Sequence, residues 1–464
     1  MDDLHRLSAT EALRAMRAGE LSPVELLEAV IRRAEQVEPA INAFPHTYYE
    51  DALTAARAAE ARYAGKGPRP RPLEGLPVAI KDETPIRGQP LTQASLIYKD
   101  DVADYTAVVP ERVMRAGGIV HARSATPEFS AAPFTHSRLY GITRNPWNTD
   151  YTPGGSTGGG AAALAAGSAM LATGSDIGGS VRIPATFSGV VGFKPPYGRV
   201  PAEAPYNLDH FCHDGPLGRT VADCALLQNV LSGPHPDDPV ALRPKLRIPA
   251  ELGGIEGWKI AYSLDLGYDV DPEVREGVVA AVDGLREAGA VLEEVEVGWA
   301  HAEVTAAARA HFGAMFGGSI AEELEAHRDL MTAYTVKFGE ESAEVTMADY
   351  IRGMQIEAQI HAALGRIHRR YRALVGPGFG VAKLRAGDDC LDVEVYDMLL
   401  TVVFNVCSRN PVLSVPSGRT DDGVPTGVQI AARPYDDVSA FRIGAALERV
   451  RPWPQVADPA LATA

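Results

Sequence analysis

Two glycine-rich turns enclose a run of small apolar residues in TPGGSTGGGAAALAAGSAMLATGSDIGGSVRIPA, residues 152–185. Because small side chains let a helix lie close against neighbouring backbone, we expect a central, buried helix over AAALAAGSAMLA, residues 161–172. Each turn holds a serine, Ser156 in the first and Ser180 in the second. Free N–H groups at a helix start or in an open glycine turn can bind an anionic oxygen. The stretch therefore constrains both the packing and the chemistry of the chain.

The two turns by themselves fit more than one kind of structure. A phosphate-binding P-loop ends in Gly-Lys-Ser/Thr, and no lysine follows the first turn. The nucleophile elbow of α/β-hydrolases, Gly-x-Ser-x-Gly, does not match around Ser180, which is followed by Val-Arg-Ile. These residues alone are also compatible with a pair of turns that has a purely structural role.

Composition narrows the class of protein. The 464 residues are 46% hydrophobic and 22% charged, which is typical of a globular domain. A formal charge of −16 and the lack of basic clusters disfavour a nucleic-acid partner. The start MDDLHRLSAT has no apolar signal-peptide core, and the longest weakly polar run, residues 158–174, is too short to span a membrane. We expect a cytoplasmic monomer or homodimer that binds neither nucleic acid nor a membrane.

Cysteine and histidine spacing indicates no metal site. The four cysteines include no Cys-x-x-Cys pair, so neither a disulfide framework nor a zinc ribbon is predicted. His210, His213 and Asp214 are close in sequence, but their spacing fits no standard zinc motif. His361 and His368 are seven residues apart on a predicted helix. We expect no metal and no other cofactor.

Short apolar runs alternate with helical patterns along the chain. Capping boxes at residues 8–11 and 22–25 mark two helix starts near the N-terminus. Helices are also predicted over 223–233 and 271–289. The predicted strands are LPVAIKD (76–82), GIVHARS (118–124), GVVGFKP (189–195), WKIAYSL (258–264), AVLEEVEV (290–297) and PVLSVPSG (411–418). This alternation predicts an α/β fold with a sheet covered by helices on both faces.

The glycine turns, with five other segments in the same order, resemble the amidase signature family of serine hydrolases, in particular its stand-alone aryl acylamidase and urethanase types. The segments are LEGLPVAIKDE, TRNPWNTDYTPGGSTGG, GVVGFKPPYGRVP, DGPLGRTVADCALL and NPVLSVPSGRTDDGVPTGVQIAARPYDD. The likeness covers most of residues 1–297 and 400–450. It implies one domain over residues 1–464, built on a single large mixed sheet, with residues 300–375 as a helical insertion that caps the substrate site.

The resemblance also implies a catalytic triad. Ser180 corresponds to the nucleophile, Ser156 to a middle serine with a cis peptide bond, and Lys81 to the base. A serine hydroxyl needs a neighbouring base, and a lysine serves as one only when it is neutral, which burial favours. The backbone N–H groups of Ile177, Gly178 and Gly179, with that of the nucleophile, are expected to bind the oxyanion.

Four further residues near the implied triad differ in their expected roles. Asp176 and Arg182 flank the nucleophile, and we expect an ion pair that holds the loop. Thr157 stands where the family usually carries a serine, so its hydroxyl is a candidate to support the lysine. Glu83 stands where the family commonly carries asparagine, and a carboxylate there would alter the proton affinity of the lysine.

Substrate-binding residues are expected in the helical segment and in the loop at Tyr197 and Arg199. Apolar side chains at helical spacing are commonly core, but those that cap the site would favour an apolar or aromatic ligand. The candidates in the segment are Phe312, Met315 and Phe316, together with His311, Met331, Tyr334, Phe338 and Met354.

Three functions are compatible with the sequence. The first is a cofactor-independent serine amidohydrolase that acts on small apolar or aryl amides and on carbamates (urethanes). The second is the glutaminase subunit of a tRNA-dependent amidotransferase, which works in a complex. The third is a non-catalytic scaffold, which the filled triad positions disfavour.

Overall fold

Strands and helices alternate along the chain in the computed structural model, which describes residues 3–458. The strands are β1 (His46–Thr47), β2 (Pro77–Lys81), β3 (Ile119–Ser124), β4 (His136–Ser137), β5 (Gly141–Ile142), β6 (Leu171–Ser175), β7 (Val191–Lys194), β8 (Asp214–Gly218), β9 (Lys259–Tyr262), β10 (Val291–Glu294), β11 (Ala373–Pro377), β12 (Val412–Arg419) and β13 (Pro425–Ala432). The α-helices are α1 (Ala9–Ala18), α2 (Pro23–Ile41), α3 (Tyr49–Tyr63), α4 (Val108–Arg115), α5 (Gly158–Ala166), α6 (Arg182–Ser188), α7 (Val221–Leu231), α8 (Pro272–Glu287), α9 (His301–Phe312), α10 (Ala321–His327), α11 (Ala333–Ala343), α12 (Met347–Arg370), α13 (Val403–Val406) and α14 (Asp437–Val450).

Among residues 3–458, one mixed sheet of eleven strands forms the centre of the fold, in the order β1-β3-β2-β6-β8-β7-β12-β13-β11-β9-β10. Strand β2 pairs in parallel with β3 and with β6, so these three strands end at the same edge of the sheet. Strand β8 runs antiparallel to β6 and β7, and β12 runs antiparallel to β7 and β13. The single large mixed sheet expected from the family resemblance is confirmed.

Helices cover both faces of this sheet. In β2, Val78 and Ile80 face a core that also contains side chains of α1, α4 and α7. The residue between them, Ala79, faces the opposite core, which contains α5. This alternation follows from the two-residue period of a strand. The expected α/β architecture with two covered faces is therefore confirmed.

The small-residue segment forms both a helix and a strand. All nine residues of α5 are buried, as expected, but the helix ends at Gly167, whose φ of 79° is left-handed. Residues 171–175 then form β6, so the helix predicted over 161–172 extends too far toward the C-terminus. The glycine at 167 ends the helix because it adopts the left-handed conformation without steric cost.

Residues 301–370 are helical, in agreement with the helical pattern predicted for 300–375. They form α9 to α12, with a π-helical turn at Gly313–Gly317 after α9. Strand β11 begins at Ala373, inside the predicted boundary. Within residues 3–458, no helix is long and apolar enough to cross a membrane.

Local sequence signals locate most elements correctly. Both predicted capping boxes form, at Ser8 and at Ser22. The six predicted strands correspond to β2, β3, β7, β9, β10 and β12. Strands β6 and β8 were not predicted because LATGS and DGPLG contain glycine and proline, which are depleted in strands. Strands β1, β4, β5, β11 and β13 were not predicted either.

Gly159 in α5 tests how closely this helix packs. A Cβ atom at Gly159 would lie 2.3 Å from the backbone nitrogen of Ala125 and 2.7 Å from the carbonyl oxygen of Ala43. Because backbone cannot move aside easily, we expect Gly159→Ala to lower the free energy of unfolding by about 1–3 kcal/mol. Urea denaturation followed by circular dichroism measures this change.

The matched control is Gly365→Ala in the exposed middle of α12. A Cβ atom there meets no atom of residues 3–458 within 4 Å. Alanine in an open helix position stabilises by up to about 1 kcal/mol relative to glycine. Equal effects of the two substitutions would contradict close packing of α5.

Candidate active site

Lys81 is the last residue of β2, and its side chain is fully buried. Its Nζ atom lies 2.7 Å from Oγ of Ser156 and 2.9 Å from Oγ of Ser175. A carboxylate oxygen of Glu83 lies 3.0 Å from the same Nζ atom. Burial lowers the pKa of Lys81, and the nearby Glu83 charge opposes this effect. The amine is thus held by three oxygen atoms in an environment that favours its neutral form.

The two glycine turns meet beside this lysine. The backbone N–H of Thr157 donates to the carbonyl oxygen of Ser180 at 3.1 Å, which joins the first turn to the second. The Gly155–Ser156 peptide bond is cis. A Cβ atom at Gly155 would lie 2.2 Å from the carbonyl oxygen of Phe134, so only glycine fits this position. The structure therefore brings Ser156, Ser180 and Lys81 into one buried region.

The second turn offers free backbone donors. In the described residues 3–458, the N–H groups of residues 177–180 make no hydrogen bond to another protein group. Gly179 has a φ of 126°, and a Cβ atom there would lie 2.1 Å from Oγ1 of Thr401. The Thr401 hydroxyl donates to the carbonyl oxygen of Gly178 at 2.5 Å, which holds the turn. Unengaged backbone donors of this kind can stabilise an oxyanion.

A buried ion pair supports the second turn from behind. Both nitrogens of one edge of the Arg182 guanidinium, Nε and Nη2, donate to the Asp176 carboxylate at 3.0 and 2.8 Å. Both side chains are fully buried. Burial by itself raises the pKa of Asp176, but the Arg182 charge outweighs this effect and holds that pKa below its usual range. The geometry is the ion pair that the sequence analysis expected at these positions.

Ser180 faces a cavity of about 120 Å³ with a largely aromatic wall. Its floor is formed by the glycine turns, through Gly155, Ile177 and Gly178. Apolar residues that complete the wall are Phe134, Ile183, Phe312, Phe316, Tyr334, Phe338, Val395, Tyr396 and Leu399. The charged groups on its border have partners of their own. Lys337 donates to the carbonyl oxygen of Leu391 at 2.8 Å, and Asp389 lies 2.7 Å from His136.

Only some of the residues predicted to bind substrate line the cavity. Phe312 and Phe316 line the cavity, whereas Met315 does not and is 39% exposed. The Tyr197 hydroxyl donates to the carbonyl oxygen of Asn207, and the Arg199 guanidinium pairs with Asp437 at 3.0 Å. Neither Tyr197 nor Arg199 lines the cavity, because each is engaged elsewhere.

Other predicted residues also have different surroundings. Met331 is buried against Phe129, Met354 is 51% exposed, and His311 bonds Asp209.

The buried Thr157 hydroxyl has no hydrogen-bond partner within residues 3–458, so it does not bond Lys81. A Cβ atom at Gly174 would lie 2.4 Å from this hydroxyl, so the threonine packs against the glycine.

Several residues of the site were missed by sequence reasoning. Ser175, which bonds Lys81, ends β6 directly before the second glycine turn and could have been found there as a further hydroxyl. Phe134 and Tyr396 had no such signal, because Phe134 lies in an irregular segment and Tyr396 in a three-residue 3-10 helix, and both reach the cavity only in the folded chain.

The histidines form hydrogen-bonded pairs around the helical segment. His311 lies 2.7 Å from an oxygen of Asp209, and His210 lies 3.0 Å from an oxygen of Glu357. Asp209, His210 and His311 form a cluster whose ligand atoms lie within 4.8 Å of one another. Both histidines already have carboxylate partners, and these contacts tie the loop before β8 to α9 and α12.

Comparisons with known proteins agree with this geometry. The profile of the family described as Amidase matches residues 25–440. The chain belongs to the amidase signature family. It is 34% identical over 470 residues to an acylamidase of Rhodococcus erythropolis, and the alignment covers 97% of each chain. It is also 34% identical over 493 residues to a Glutamyl-tRNA(Gln) amidotransferase subunit of Chloroflexus aggregans, covering 98% of each.

A solved structure gives the same assignment. The crystal structure of a bacterial aryl acylamidase of the amidase signature family superimposes with a TM-score of 0.90 at 28% identity, covering 97% of this chain and 98% of the other. As a member of the family with such relatives, this amidase is a hydrolase that acts on carbon–nitrogen bonds.

The Asp176–Arg182 pair can be tested through stability. We expect Arg182→Met to lower the free energy of unfolding by about 3–5 kcal/mol, because it leaves a buried carboxylate without its partner. Adding Asp176→Asn should restore part of the loss, since the remaining side chain is then neutral. Urea denaturation of the single and double variants measures both effects.

The control is the exposed pair of Arg286 and Asp283, whose side chains are 48% and 52% exposed. Arg286→Met should change the free energy of unfolding by about 1 kcal/mol or less, because water screens exposed charges. A comparable small effect of Arg182→Met would argue against a supporting role for the buried pair.

Proposed function

We propose that this amidase cleaves the C–N bonds of aryl and other apolar amides, and of aryl carbamates, through an acyl-enzyme on Ser180. The observation that carries the proposal is the buried contact between Lys81 and Ser156, adjacent to a serine that faces an aromatic cavity. A neutral lysine amine can accept a proton from a hydroxyl, which makes this arrangement suitable for activating a nucleophile.

Acylation starts with attack by the Ser180 oxygen on the substrate carbonyl carbon. The Ser180 proton passes to Ser156, whose own proton passes to the lone pair of Lys81. The carbonyl oxygen becomes an oxyanion, and the N–H groups of residues 177–180, which bond no other protein group among residues 3–458, stabilise it. Lys81 holds the extra proton as an ammonium at this stage.

The tetrahedral intermediate then collapses. The C–N bond breaks, and the leaving nitrogen takes the proton back from Lys81 through Ser156, so the amine departs neutral. Water repeats the sequence of steps on the acyl-enzyme and releases the acid, or, from a carbamate, the corresponding carbonic monoester. Because every proton is returned, Lys81 and both serines end in their starting states.

The aromatic wall supports an apolar substrate. Phe312, Phe316 and Phe338 come from the helical segment and line the cavity together with residues of the glycine turns. Burial of aromatic surface is favourable, and paired rings add a further preference for aryl groups. We therefore assign the cavity to an aryl or other apolar part of the substrate.

A glutaminase that works within an amidotransferase complex is the second candidate, favoured by the 34% identity to the Chloroflexus aggregans protein. Glutamine carries an ammonium and a carboxylate, which each require an ionic partner in the site. The acidic residues that border the cavity already have ionic partners: Glu341 and Glu394 pair with Arg309, and Asp389 with His136. The one bordering cation among residues 3–458, Lys337, donates to the carbonyl oxygen of Leu391. This arrangement favours an uncharged substrate over glutamine.

Substitution of the triad tests the proposed mechanism. We expect Ser180→Ala to abolish hydrolysis and Lys81→Ala to reduce kcat nearly as far, because one removes the nucleophile and the other the base. Ser156→Ala should lose less, since a water molecule can partly replace a relay hydroxyl. The assay is hydrolysis of an acyl anilide, with circular dichroism to confirm folding.

A fluorophosphonate provides an independent measurement of the nucleophile. It should add once per chain, and peptide mass spectrometry should find it on Ser180. Modification at another residue, or activity of Ser180→Ala within about tenfold of the parent, would contradict the assignment.

The apolar lining of the cavity predicts the order of kcat/KM values among substrates. We expect kcat/KM on the isolated chain to be higher for an acyl anilide and an aryl carbamate than for glutamine, because the cavity matches apolar groups. Comparing the three values decides between the candidates. A preference for glutamine by about tenfold or more would favour the amidotransferase function.

Two neighbouring residues of the π-helical turn give a matched control. Phe316 lines the cavity, whereas Met315 faces outward. We expect Phe316→Ala to lower kcat/KM for the anilide by on the order of tenfold, as the loss of part of an aromatic contact implies. Met315→Ala should leave it unchanged, and equal effects would argue against this cavity as the aryl site.

A further inference from the structure

Glu83 links the candidate base to a second cavity. One carboxylate oxygen lies 3.0 Å from Nζ of Lys81, and the other accepts a hydrogen bond from the Ser130 hydroxyl. The Glu83 side chain is 18% exposed and lines a cavity of about 440 Å³ next to the aromatic one. Ser130, Ile177 and Phe316 line both cavities and so lie between them.

The contacts of Lys81 match the two protonation states that the mechanism requires. A neutral amine has two N–H groups and one lone pair. If Ser175 and Glu83 accept the two N–H groups, the lone pair points toward Ser156, from which the proton arrives. The ammonium then has three N–H groups, one for each of the same three oxygens. No contact has to be rebuilt during the reaction.

The charge that forms on Lys81 needs a counterion, because the side chain is fully buried. A buried ammonium is costly unless an opposite charge lies beside it. In a Ser-His-Asp triad, the aspartate meets the same need by stabilising the imidazolium that forms on the histidine. Glu83 has the corresponding place next to Lys81.

We propose that Glu83 is a positioning residue of this site: it orients the Lys81 amine toward Ser156 and stabilises the ammonium formed when Ser180 gives up its proton. This inference rests on the proposed hydrolase mechanism. The family resemblance places asparagine at this position, and a neutral amide cannot supply the charge.

Other ionisable groups face Lys81 and Glu83 from neighbouring elements. Asp176 is neutralised by Arg182, and burial together with the charges of Glu203 and Glu83 raises the pKa of Asp214 to about 8. Asp214 is therefore mostly protonated at neutral pH.

The remaining groups around the pair are Arg123 from β3 and, in the loops beside β8, Glu203, Tyr206 and Cys212. Among these groups, Glu83 is the carboxylate in contact with the amine.

The sign of the pH effect follows from this charge. The negative Glu83 opposes the lowering of the Lys81 pKa by burial, so its removal lowers that pKa further. The active, neutral lysine then persists to lower pH, and the acidic limb of the pH–rate profile shifts to lower pH. At the same time the plateau rate falls, because the ammonium loses its counterion. A merely structural role would change the amount of folded enzyme without moving the limb.

The experiment measures Ser180 modification by a fluorophosphonate from about pH 5 to about pH 10, a reaction that does not depend on the choice of amide. Glu83→Gln and Glu83→Ala are each compared with the parent in an Asp214→Asn background, which removes the neighbouring carboxyl. We expect the acidic limb of the pH–rate profile to shift to lower pH by about one pH unit or more. The rate at the plateau should fall by about tenfold. For anilide hydrolysis, kcat should fall while KM stays the same.

The matched control is Glu323→Gln, a carboxylate that lines the same second cavity but bonds the Tyr98 hydroxyl instead of Lys81. It should keep the parental profile. An unmoved limb or a parental plateau in both Glu83 variants would overturn the role of Glu83 and leave the proposed function intact. A parent that is not modified at Ser180 would instead contradict the proposed function, and the role of Glu83 with it.

Discussion

The buried ion pair of Asp176 and Arg182 organises the loop on which the candidate site depends. All five N–H donors of the guanidinium are used: they reach Asp176, the carbonyl oxygen of Thr401, and the side chains of Asn405 and Gln429. Because a buried charge must be fully paired, the turn between β6 and α6 has one favourable arrangement. This turn keeps the N–H groups of residues 177–180 free of hydrogen bonds to other groups of residues 3–458.

Parallel strand pairing supplies the other half of the site. Strands β2 and β6 run side by side, with Ile80 opposite Thr173, so both end at the same edge of the sheet. Lys81 ends the first strand and Ser175 ends the second, which explains their 2.9 Å contact. The sheet therefore sets the position of Lys81, the proposed base, and the ion pair sets the position of the loop that carries Ser180, the proposed nucleophile.

Sequence patterns gave the best predictions for features that depend on residues close together in the chain. The capping boxes at Ser8 and Ser22, the apolar strands and the glycine turns are local, and they formed as expected. Arg199 illustrates the limit, because its partner Asp437 is 238 residues away and draws it out of the cavity. Met315 illustrates another: helical spacing groups it with Phe312 and Phe316, but the π-helical turn alters that spacing and leaves it exposed. Long-range pairing and local departures from regular geometry are invisible in a periodic pattern.

The proposed reacting groups and the aromatic wall come from different stretches of the chain. Lys81, Ser156 and Ser180 lie on or next to the central sheet, whereas Phe312, Phe316 and Phe338 lie in the helical segment. Substitutions in that segment can reshape the cavity while the contacts of the lysine stay as they are. Natural variation and laboratory evolution can therefore diversify the range of accepted amides at little risk to turnover chemistry, and the helical segment is the natural target for a mutant library.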